Sequence, residues 1–198
     1  MENEEKMMTG QESLSVITEM INKTRVSVTQ ASFHLLFWGW LIFACSLSEF
    51  LLWKYTGWAN AWIVWFAVII GVVVSTTYGF VRGRREKVFT YATGINITTW
   101  IAFFIAAVVF CIVYPMENGD VSKYMLLLAG IPLLISGVVL RFRPLMWGAG
   151  AFWALSLVAH FGGETVSGLA MPVAMILGYL IPGYLLRKRG SHVTFQGA

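Results

Sequence analysis

The sequence predicts an all-α integral membrane protein: a six-transmembrane-helix bundle preceded by an amphipathic cytoplasmic helix, with both termini inside. Three observations carry this. Six long apolar stretches run through the chain. Charged residues make up only 12% of it, where a soluble domain carries about 25%. The lysines and arginines that remain cluster in alternate connections between the stretches, and that asymmetry orients a chain in a bilayer.

Residues 1–11 read as a disordered tail, with Glu2, Glu4 and Glu5 at its start. No cleavable export signal is visible, because this segment lacks a basic start and a short apolar run. Residues 12–28 place Leu14, Ile17 and Ile21, with Val16 and Met20, at helical spacing. Ser13 suits the N-cap and Lys23 and Arg25 close the segment, so an amphipathic helix is expected there, either interfacial on the membrane surface or packed on the cytoplasmic face of the domain.

The transmembrane domain is expected over 29–189. The first span, residues 31–53, holds a single charged side chain, Glu49. At helical rise it reaches roughly 34 Å, enough for a hydrocarbon core of about 30 Å. The second span is expected at 60–81, closed by Arg82, Arg84, Arg85 and Lys87, and the third at 94–114, stopped by Pro115. The fourth (124–140) and fifth (145–161) are short and joined by the tight Arg141-Phe142-Arg143-Pro144 link. A re-entrant pair is the alternative there; two full spans are the expectation. The sixth, 168–186, ends in Arg187-Lys188-Arg189, and 190–198 is a polar tail in which Phe195-Gln196-Gly197 resembles the remnant of a viral protease cleavage site.

With the N-terminus inside, the inner segments hold Lys6, Lys23, Arg25, the 82–87 cluster, Arg141, Arg143 and the 187–189 cluster, and the outer loops hold only Lys54 and Lys123. The opposite topology inverts that balance, against the positive-inside rule. The expected location is therefore a membrane crossed several times, with both termini cytoplasmic. The same placement accounts for the net charge of +4 without nucleic acid: the cations face anionic lipid headgroups. Trp53, Trp58 and Trp62 fall at the outer interface and Trp38, Tyr91 and Trp147 at the inner one. Ala170, Ala174, Gly178 and Pro182 form a small-residue stripe, read as a close helix contact, with Pro182 expected to kink the span. Cys45 and Cys111 lie inside spans and read as small packing residues.

Ionisable groups at membrane depth are the default functional candidates. Glu49, His160 and Glu164, with Glu117 and Asp120 in the loop beside them, all fall at the outer level and form a candidate ligand-binding layer for a cation, a proton or an amine. Snorkelling of Glu49 and helix capping by His160 are the structural readings of the same residues. Thr76, Thr77, Tyr78, Asn96 and Thr99, beside Ser75 and Thr98, form an inner polar layer that either lines a vestibule or bonds helix to helix. His34 lies at the inner level, about 22 Å from Glu49 at helical rise. No metal-ligand spacing, cofactor motif or catalytic constellation stands out. Ala159-His160-Phe161-Gly162-Gly163 resembles the histidine motif of rhomboid intramembrane proteases, but Ser136 is the nearest serine match, lacks the preceding glycine and lies roughly 18 Å deeper than His160. That reading is disfavoured, since a nucleophile and its base must touch.

Ile17-Thr18-Glu19-Met20-Ile21-Asn22-Lys23, Leu36-Phe37-Trp38-Gly39-Trp40, the 136–144 stretch and Ile181-Pro182-Gly183-Tyr184-Leu185-Leu186-Arg187 resemble a group of small bacterial six-span proteins of about 200 residues with no assigned activity. The resemblance implies the fold and no chemistry. Function is thus expected to be a small transporter or channel with an acidic outer access site. The alternative is a non-catalytic sensor or accessory protein acting on a cytoplasmic protein partner, or as a homo-oligomer, through its inner face. An intramembrane enzyme is third.

Overall fold

The structure, a computed structural model, describes residues 10–58, 60–83, 91–114 and 121–192. Among the described residues seven α-helices follow one another: α1 (Gly10–Leu51), α2 (Phe66–Gly83), α3 (Tyr91–Val113), α4 (Val121–Val139), α5 (Arg143–Phe161), α6 (Glu164–Met175) and α7 (Ile181–His192). A π turn, 52–56, extends α1, and a second, 176–180, joins α6 to α7. Among the described residues there are six helices long and apolar enough to cross a membrane, and the last, Glu164–Arg189, runs through α6, the π turn and α7. The described secondary structure is helical throughout.

The first helix differs from its expected division. Residues 12–28 and the first span are one unbroken helix of 42 residues. Nothing between Arg25 and Ala31 is a glycine or a proline, so the chain meets no breaker there. Most of the predicted N-terminal tail and of the 190–198 tail lies outside the described residues, although Gly10 and residues 190–192 are helical.

Helices α4 and α5 form a tight antiparallel hairpin. Its turn is a Schellman arrangement: the Phe142 N–H reaches the Gly137 carbonyl at 2.9 Å and the Arg141 N–H reaches Val138 at 3.0 Å. Arg141 takes the left-handed conformation (φ 49°) that such a turn requires and that glycine adopts at least cost. Phe142 is buried beneath the turn, and Pro144 starts α5 where a missing N–H does no harm. These contacts join two antiparallel helices of 19 residues each, both long and apolar enough to cross a membrane. At the far end of the hairpin Ser156 Oγ donates to the Lys123 carbonyl at 2.7 Å and Trp153 Nε1 to Leu127 at 3.2 Å. Gly130 clears the space for that indole.

The core lies among α1, α4, α5 and the α6–α7 span. Leu126, Leu133, Leu145, Phe152, Pro182 and Leu186 are sealed from outside there. The small stripe on the sixth span does pack: Ala170, Ala174, Gly178 and Pro182 are all buried. A Cβ on Gly148 of α5 would stand 2.8 Å from the Cα of Gly178, so the two backbones touch at this crossing. The π turn sits just before Pro182. The proline ring displaces the carbonyl four residues back, and the Ile181 N–H instead reaches five residues back, to Ile176. Helices α2 and α3 lie outside this quartet. Among the described residues of the second span only Ala61 and Gly71 are buried, and none of the most apolar window of the third is.

Candidate functional site

Glu49 is half-buried in α1, and Trp65, at the start of the second span, donates its indole N–H to Glu49 Oε2 at 2.8 Å. The Cys45 thiol, one turn away, faces the Val64 carbonyl at 3.6 Å. Lys54 lies over the Phe50 ring, 5.3 Å from its centroid. Glu49 is thus fixed at the α1–α2 seam, outside the core of the quartet.

The other described members of the outer layer, His160 and Glu164, are both exposed. His160 is exposed at the last turn of α5, edge-on to Phe161. Glu164 is exposed at the first turn of α6, where a carboxylate complements the helix dipole. Glu117 and Asp120 lie outside the described residues. Among the described residues no three His, Cys, Asp or Glu side chains form a group that could hold a metal ion.

The inner layer divides into separate contacts. The hydroxyls of Thr76, Thr77 and Thr99 donate to carbonyls of their own helices, those of Val72, Val73 and Ile95, each four residues back. Such back-bonding satisfies a hydroxyl in an apolar setting and spends its proton. Tyr78 stacks on Phe33, with ring centroids 4.3 Å apart. Asn96 crosses to α4: Ser136 Oγ donates to Asn96 Oδ1 at 2.6 Å and accepts from Trp100 Nε1 at 3.1 Å.

One cluster stands out that the sequence reading did not assemble. His34 Nδ1 of α1 lies 3.2 Å from Ser75 Oγ of α2, and Trp38 Nε1 donates to the same hydroxyl at 3.4 Å. A neutral imidazole accepting the Ser75 proton on Nδ1 fits this arrangement. The signal lay in depth: α1 and α2 run in opposite directions, so a residue three positions into the first span faces one near the end of the second. The same counting pairs Glu49 with Trp65.

The Glu49–Trp65, His34–Ser75 and Asn96–Ser136 contacts are helix-to-helix ties. His34–Ser75 has the spacing of a base and a nucleophile, but acyl transfer also needs donors aimed at a developing oxyanion. The described indole beside Ser75, Trp38, already points at its Oγ. Ser136 is held by Asn96 and Trp100 near the first turn of α5, whereas His160 is at the other end of that helix, so the rhomboid-like pair does not meet.

Comparison with protein-family models, with curated proteins and with solved structures finds no match.

Proposed function

We propose that this chain is a non-catalytic sensor or accessory protein of a bacterial plasma membrane, with both termini cytoplasmic and the inner end of α1 as its contact element. The observation that carries this is the packing of the quartet. Phe152, Leu126 and Leu133 fill the space between the helices where a conduction path would run. Among the described residues, Glu49, His34 and Asn96 are each engaged in a tie to a neighbouring helix. The orientation rests on the lysine and arginine asymmetry. In that orientation residues 10–30 of α1 project beyond the inner membrane surface as continuous helix.

A transporter is the second reading, favoured by a single feature: the half-buried carboxylate of Glu49 on its indole partner. The two separate in proteoliposomes. Currents on supported membranes are recorded during jumps in protons, alkali and divalent cations and small amines. The accessory reading expects no current above that of empty vesicles. A current that disappears in Glu49→Gln would replace it with transport. Thiol labelling at Ser13→Cys and Tyr55→Cys tests the orientation: the first is expected to react only from the cytoplasm, the second only from outside.

A further inference from the structure

We propose that the open groove beside the α4–α5 turn is a binding site for one anionic phospholipid, its phosphate on Arg143 and Arg141 and an acyl chain along Leu134, Met146 and Trp147. The groove is lined by Leu134, Arg143, Met146 and Trp147 and has a volume of about 380 Å³. That lies within the roughly 300–1,000 Å³ of small-molecule sites.

Its polarity is graded along its length. Arg141 and Arg143 are exposed at the turn. Leu134 lies six residues before Leu140 along α4, roughly 9 Å up the helix at helical rise. A cationic end joined to an apolar wall matches an amphiphile and not a free anion, which would use the guanidinium end alone. Trp147 is 79% exposed at the same end. An indole there belongs at headgroup level, where its apolar body and polar N–H are both accommodated. Around the groove α4 continues as a bare apolar surface through Val138, Ile131 and Leu127, which suits hydrocarbon neighbours and not a soluble peptide.

The turn supplies an independent observation. Arg141 holds a left-handed backbone that costs an L-residue about 1 kcal/mol or more and costs glycine little. The arginine at that position sets a second exposed cation two residues before Arg143. No carboxylate among the described residues pairs with either guanidinium. Among the described residues, then, both are open to an external anion, and guanidinium meets phosphate through two parallel hydrogen bonds.

The site rests on the membrane placement proposed above and not on the accessory role. Its test uses the full chain extracted in mild detergent. Lipid adducts are counted by native mass spectrometry and thermal unfolding is followed with phosphatidylglycerol, cardiolipin, phosphatidylcholine or inorganic phosphate added. Phosphatidylglycerol or cardiolipin is expected to bind at least fivefold tighter than phosphatidylcholine and to raise Tm, since a ligand of the folded state stabilises it by mass action. Combined Arg141→Gln and Arg143→Gln should erase the preference, and Trp147→Ala should weaken both lipid classes. Combined Arg187→Gln and Arg189→Gln, in the other basic cluster, should leave the preference in place. Equal affinity for phosphatidylcholine, a preference that survives the loss of both groove arginines, or a full Tm shift from inorganic phosphate would each overturn the site. Failure of the membrane placement shows separately, as protein released from membranes by alkaline carbonate.

Discussion

The sixth span buries 61% of its most apolar window and the third buries none, although the third is the more apolar of the two. Lipid is as good a solvent for a leucine as another helix is, so apolarity alone does not draw helices together in a membrane. What separates the two regions is shape. The sixth span carries Ala170, Ala174 and Gly178 and meets α5 backbone to backbone at Gly148. The third presents Ile101, Ile105, Val108, Val109 and Ile112 outward. Polar contacts join helices in both regions. Each outer helix is tied inward by a few of them: His34–Ser75, Trp38–Ser75 and Glu49–Trp65 for the second span, Asn96–Ser136 and Trp100–Ser136 for the third. Aromatic contacts supplement these, Trp38 against Phe104 and Trp100 against Tyr179.

Substitutions break this comparison cleanly. Phe152→Ala removes a sealed core ring, and unfolding by SDS in mixed micelles should show a loss of about 3 kcal/mol or more. Ile105→Ala, on the bare face of α3, should cost under about 0.5 kcal/mol by the same measurement. Equal costs would mean that the third span is packed as tightly as the quartet. Ser136→Ala sharpens the comparison at a polar contact: it strands Asn96 and the Trp100 N–H and should cost about 1 kcal/mol. Its effect should fall on the third span, read as faster proteolysis of the loop that follows α3 while the α4–α5 hairpin stays protected. The smallest expected effect is a gain. Arg141→Gly relieves the left-handed turn and should raise stability by roughly 0.5–1 kcal/mol, measured in lipid-free detergent so that headgroup binding does not enter.

Much of the architecture was legible in the sequence because span length and hydropathy are local properties. All six stretches reappear as long apolar helices, and the stripe on the sixth packs as small residues allow. The division at residue 28 was less legible, since a change from amphipathic to wholly apolar character alters what a helix touches and not whether it continues. The candidate layers were the hardest part. Equal depth does not put side chains on facing sides: Glu49 takes Trp65 as its partner, while His160 and Glu164 are exposed at the ends of α5 and α6. Thr76, Thr77 and Thr99 turn their hydroxyls to their own backbones, an option every threonine in a helix has. The partners that Glu49 and His34 do find, Trp65 and Ser75, come from matching depths across one hairpin, which requires knowing that α1 and α2 are neighbours.

The unbroken first helix has a mechanical consequence. Its 42 residues span about 63 Å at helical rise, roughly twice what a bilayer core needs. The 21 residues from Gly10 to Gln30 therefore make a stiff arm of about 32 Å, rooted in the helix that packs against the sixth span. A change of only about 10° in the tilt of that root swings the tip by roughly 5–6 Å. Strain or thickness changes in the bilayer would thus arrive at the far end of the arm enlarged to the width of a side chain, with no channel, pocket or bond rearrangement in between.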